Sequence, residues 1–123
     1  MEKPRVGSGE FTYRVNHDWA TLPDGQRFGT THGVVEDAEG YIYIHHTGSP
    51  SVFVFEPDGN FARAFGEAYA GGAHVILLNT EADGQFLYLA ATSLGFVAKT
   101  TLDGEELLRI ETPPRTDIYD ADH

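Results

Sequence analysis

THGVVEDAEGYIYIHHTGSPSVFVFEPDGNFARAFG (Thr31–Gly66) and AHVILLNTEADGQFLYLAATSLGFVAKTTLDGEELLRIE (Ala73–Glu111) are two copies of one pattern. His32 aligns with His74, Gly40 with Gly84, Tyr43 with Tyr88, Asp58-Gly59 with Asp103-Gly104 and Phe65 with Ile110, at offsets of 42 to 45 residues. Each copy holds four short apolar runs separated by turn residues. In the first copy the runs are Thr31 to Glu36, Tyr41 to His45, Ser51 to Phe55 and Phe61 to Phe65, joined at Asp37-Ala38-Glu39-Gly40, Thr47-Gly48-Ser49-Pro50 and Pro57-Asp58-Gly59. Proline presets φ in the last of these turns and glycine accepts positive φ, so that hairpin is specified locally. The second copy repeats the runs at Ala73 to Leu78, Phe86 to Ala91, Phe96 to Thr101 and Glu106 to Ile110, with a longer first turn from Asn79 to Gly84.

Runs such as Val52-Phe53-Val54-Phe55 and Val75-Ile76-Leu77-Leu78 are apolar on both faces, as strands are when their sheet packs between two others. No window sustains a 3.6-residue period, so the fold class is all-β. A period of 40 to 50 residues built from short strands and Gly turns is the signature of β-propeller blades. The expected architecture is a partial β-propeller: two four-stranded antiparallel blades, at 31–66 and 67–111, and an N-terminal strand within 11–30. Residues 1–10 read as a flexible lead-in and 112–123 as a linker toward a further blade. A closed ring of this period needs roughly 170 residues or more. The 123 residues are therefore expected to be a piece of a longer propeller, or a module that self-associates through its exposed blade faces.

Composition narrows the partners. Lys and Arg total 8 against 19 Asp and Glu, a net charge of −11. Nucleic acid and anionic membrane surfaces would be repelled, since both are bound by clustered cations. There is no cysteine, hence no disulfide framework and no thiolate nucleophile. The N-terminus has no signal-like apolar stretch and no run long enough to span a bilayer occurs, so a soluble chain is expected, its compartment open. Ser49, Ser51 and Ser93 stand in no nucleophile-elbow context, and no Gly-rich phosphate loop is present.

The candidate site residues are histidines. His32 and His74 begin equivalent inner strands, which in a propeller start around the central channel. Equivalent imidazoles would converge there, His32 as a binding residue and His74 as a metal ligand. His45 and His46 end the second strand with side chains on opposite faces, His45 with Tyr41 and Tyr43, His46 with Ile42 and Ile44. Both are candidate binding residues, weighed against a role in capping the strand end. Asp117, Asp120, Asp122 and His123 read as a solvated tail rather than a metal cluster, and Trp19 as a packing anchor.

Gly33-Val34, Asp37 with Gly40, Ile42-Tyr43-Ile44, Val52 through Phe55, Asp58-Gly59 and Phe65-Gly66 together resemble the NHL repeat, over roughly Phe28 to Glu111. That resemblance implies a six-bladed propeller acting as a scaffold that binds a small molecule, peptide or protein at its channel face. Asp18-Trp19, Leu22-Pro23, Gly33-Val34, Ile44-His45 and Gly72-Ala73-His74 are similar, more narrowly, to the peptide-amidating lyases within that family. This second likeness implies an axial zinc held by one His from each of three blades, with His74 the first, and a zinc-dependent lyase or hydrolase as the alternative to a scaffold. The chain departs from the lyase pattern at His45-His46, where those enzymes carry His followed by a catalytic Arg. Whether the parent is an enzyme stays open at this point.

Overall fold

A computed structural model describes residues 2–113; the acidic tail at 117–123 lies outside them. The fold is all-β, with ten strands in three antiparallel sheets among the described residues. Strands β1 (Arg5–Ser8) and β2 (Phe11–Arg14) form a two-stranded hairpin. Strands β3 (Thr31–Glu36), β4 (Ile42–His46), β5 (Val52–Phe55) and β6 (Phe61–Phe65) form the first four-stranded sheet in sequential order. Strands β7 (Ala73–Glu81), β8 (Gly84–Ala91), β9 (Phe96–Thr100) and β10 (Glu106–Glu111) form the second.

Both sheets are simple meanders because each turn is local. In the first, Asp37 Oδ1 accepts from the backbone N–H groups of Glu39 and Tyr41, and Gly40 takes φ of 88°. In the last turn of each sheet a glycine of the Asp-Gly pair takes φ of 92° (Gly59) or 93° (Gly104). Neither glycine tolerates a Cβ. At Gly104 it would lie 2.5 Å from the Phe65 ring, and at Gly59 it would collide with the Trp19 carbonyl.

Several strand ends differ from the sequence reading by one residue, and two stretches differ by more. Residues 5–8 of the expected lead-in are strand β1, paired with β2 from Arg5↔Arg14 to Ser8↔Phe11. The expected long turn at Asn79–Gly84 is instead a continuation of β7 and β8, paired out to Glu81↔Gly84 and leaving Ala82-Asp83 as the turn. Polar residues there still pair, and Gln85 Nε2 donates to Thr80 Oγ1 across the ladder at 3.1 Å.

The two four-stranded sheets pack face to face, with β3 beside β7. The core lies between them: Tyr43, Val52 and Val54 of the first sheet meet Ile76, Leu87, Leu89 and Ala98 of the second. A polar clasp ties the same interface. Arg63 NH2 donates to Tyr43 Oη at 2.9 Å and to the Leu102 carbonyl at 3.0 Å, and its Nε lies 3.4 Å from Asp103. The other side of the first sheet is covered over β5 and β6 by residues 19–28. Trp19 lies against Phe55 at 5.7 Å between ring centroids and Phe28 against Phe53 at 5.3 Å. Trp19 is thus the packing anchor expected of it. The other side of the second sheet carries exposed Leu77, Leu108 and Ile110. No helix among the described residues is long and apolar enough to cross a membrane.

Candidate functional site

Each inner strand begins with a β-bulge, and each bulge is a histidine. In the first sheet Thr31 pairs with His46 and Gly33 with His45, leaving His32 as the extra residue. In the second, Ala73 pairs with Ala91 and Val75 with Ala90, leaving His74. A bulge breaks the strict alternation of strand side chains and re-aims the residue that carries it. The two exposed imidazoles stack, with centroids 5.2 Å apart and planes inclined by 20°. Close approach of β3 and β7 makes this pairing, and Gly33 permits it. A Cβ on Gly33 would stand 2.8 Å from Ile76 Cγ2 and 3.0 Å from the Ile76 nitrogen.

Beside the pair lies an apolar cleft of about 490 Å³, lined by Ala20, Phe28, Thr31, His32, Gly33, Val34 and Ile44. The loop after His46 fixes this end of the molecule. Thr47 bonds Thr30 through both its backbone N–H and its hydroxyl, at 3.0 and 2.9 Å, and its carbonyl accepts from Gly71 N–H at 2.9 Å. His32, His74 and the 47–48 loop therefore share one end, as the strand order predicts.

His45 and His46 are both fully buried and face opposite sides of the first sheet. His45 Nδ1 lies 3.2 Å from the Val75 carbonyl. A carbonyl only accepts, so Nδ1 carries the proton and the Nε2 lone pair faces inward with no partner. Burial is the largest influence on this ring and holds its pKa down to about 4, with the nearby His46 and His32 imidazoles pushing the same way. His46 Nδ1 accepts from Gly29 N–H at 3.0 Å and Gly48 N–H at 3.1 Å, which places its proton on Nε2. Its ring is pressed on Phe53 at 4.2 Å, and burial lowers its pKa. His46 is thus spent on holding the loop, the capping role weighed for it from the sequence. His45 sits behind the histidine pair on the side toward the second sheet.

Chemically, the end offers two accessible imidazoles beside an apolar wall. Zinc in a protein site takes three or four protein ligands. Among the described residues no group of three or more His, Cys, Asp or Glu side chains could hold a metal ion. His32 and His74 thus supply at most two ligands, and residues 2–113 do not make a complete zinc site. The walls Ala20, Phe28, Val34 and Ile44 were not singled out from the sequence. Phe28 and Val34 flank His32, but an exposed apolar residue in a β-rich chain carries no signal of its own. The bulges were equally silent, apart from one clue: each histidine is the second residue of its inner strand. No family model matches the sequence, and no curated protein or solved structure matches the chain.

Proposed function

We propose that the two sheets are adjacent blades of an NHL-type β-propeller and that the chain is a binding scaffold. Its ligand end is the one where His32, His74 and the 47–48 loop meet. The observation that carries this reading is the repeat of geometry: equivalent inner strands lie side by side, and equivalent bulges direct equivalent histidines into one stack. Blades arranged about an axis bring such positions together at the channel mouth. The adjoining cleft, mostly apolar with an imidazole at its rim, has the character of a binding pocket for a small molecule or a peptide side chain. The net charge of −11 sets the ligand apart from nucleic acid.

The test is an NMR titration of the isotope-labelled chain with short peptides and small aromatic fragments. Shifts concentrated on Thr31–Val34 and His74 support the reading. Shifts confined to the second sheet's outer face, or none with any probe, count against it. A second reading, a zinc-dependent lyase or hydrolase, rests on the same imidazole pair and requires further ligands from outside residues 2–113. Calorimetry with zinc separates the two. Weak binding, abolished by His74→Ala, keeps the scaffold reading, whereas tight stoichiometric binding favours the metal-dependent one.

A further inference from the structure

We propose that the β1–β2 hairpin is an arm that docks on the outer face of the second sheet of another copy of this chain. Every residue of the two strands is exposed. A lone two-stranded hairpin is marginal in water and needs an apolar face packed on something. This hairpin is built with such a face. The register Val6↔Tyr13 and Ser8↔Phe11 sets Val6, Phe11 and Tyr13 on one side, with Arg5, Thr12 and Arg14 on the other. Phe11 is 71% exposed and Tyr13 61%. Arg5 and Arg14 stand directly opposite each other, a like-charge pair that weakens a hairpin unless acidic groups approach it.

The second sheet meets both needs. Leu77, Val97, Leu108 and Ile110, from three of its strands, share the outer face and stand exposed there. The turns β7–β8 and β9–β10 lie at one end of that face and present Asp83, Asp103 and Glu105. The one cation on the face, Lys99, is already bonded to Glu81 at 2.7 Å. Net charge favours the same match. Lys3, Arg5 and Arg14 against Glu10 give residues 3–14 a charge of +2, whereas the rest of the chain carries −13. The arm does not reach the outer face of its own chain. Trp19 is held on the far side of the first sheet, and the six residues from Tyr13 to Trp19 span at most about 20 Å. Crossing both sheets to an arm packed beyond them takes about 30 Å, at roughly 10 Å a layer. The contact therefore joins two copies, and it leaves the cleft beside His32 free. Two copies that exchange arms close a dimer, and unreciprocated docking continues as a polymer.

The experiment is sedimentation velocity on the full chain from micromolar to millimolar concentration. Mass is expected to rise with concentration. Phe11→Glu in the arm and Leu77→Lys in the face should each weaken self-association at least tenfold. Their equimolar mixture should form a one-to-one dimer, because one variant keeps an intact arm and the other an intact face. Circular dichroism checks that both fold; Ile110→Lys replaces Leu77→Lys if it does not. A wild-type chain that stays monomeric throughout overturns the proposal. So does a Phe11→Glu variant that associates like wild type, or a mixture that stays monomeric. A monomeric chain that pellets with anionic phospholipid vesicles, and ceases to with Phe11→Glu, assigns the arm to a membrane and overturns the proposal equally. The ligand titration reads on Thr31–Val34 and His74, which this contact does not use, so either proposal can fail without the other.

Discussion

The neighbouring histidines 45 and 46 divide the labour of one strand end, and their titration gives it a pH dependence. An imidazole ordinarily titrates near 6.5, and burial holds His45 down to about 4 in the folded chain. Between those values the unfolded chain binds a proton that the folded chain does not. Stability is therefore greatest above pH 6.5, falls as pH drops through that window, and has lost the whole contribution below about 4. The difference corresponds to about 3 kcal/mol. His45→Gln keeps a donor for the Val75 carbonyl without a titrating ring. Urea unfolding across this range should show a flatter profile in that variant, the remaining slope coming from His46, whose shift has the same direction. An unchanged slope would mean that His45 reaches water in the folded state. His46→Leu orphans Gly29 N–H and Gly48 N–H and is expected to cost about 2 kcal/mol. His46→Asn, with an acceptor placed like Nδ1, should recover part of it in the same assay.

At the scale of elements, contact between β3 and β7 decides whether the His32 and His74 imidazoles meet. Gly33 is the hinge of that contact, and its φ is one that other residues adopt, so the demand at this position is for space alone. Gly33→Ala puts a methyl group 2.8 Å from Ile76 Cγ2. Overpacking of this kind costs about 1–3 kcal/mol. The diagnostic outcome is a thermal midpoint lowered together with changed imidazole resonances of His32 and His74, since both bulges ride on the strands being pushed apart. A lowered midpoint with both resonances unmoved would show that the strain is taken up elsewhere. The strands themselves were legible because period-two runs and Asp-Gly turns are local signals. The extension of β7 and β8 past Leu78 was not, because cross-strand pairing there overrides the turn propensity of Asn79, Asp83 and Gly84.

The whole molecule is covered at one end and open at the other. Residues 19–28 stand on the first sheet where, by the logic of the repeat, a preceding sheet would sit: Gly59 meets Trp19 just as Gly104 meets Phe65. Trp19→Ala strips this cover from Phe55. It is expected to lower stability by about 2–3 kcal/mol, a large-to-small change at a half-buried position. Binding of a hydrophobic dye should rise as the aromatic cluster is uncovered. If the dye signal stays at the wild-type level, residues 19–28 are held by something other than the indole, such as the bond from Thr21 N–H to the Gly59 carbonyl at 3.0 Å.

The sequence by itself determined the all-β class, the two-copy organisation, nearly every strand and the equivalence of His32 with His74. All of these follow from side-chain period and turn chemistry within a few residues. Tertiary structure alone decided which of the four candidate histidines lie together. Strand alternation separates His45 from His46, but only the packing of β3 against β7 stacks His32 on His74, and only burial among Phe28 and Phe53 commits His46 to the loop. The N-terminal residues were misjudged for the same reason. Arg5–Ser8 is a polar, exposed stretch whose structure comes from its partner β2 and leaves no trace in its own composition.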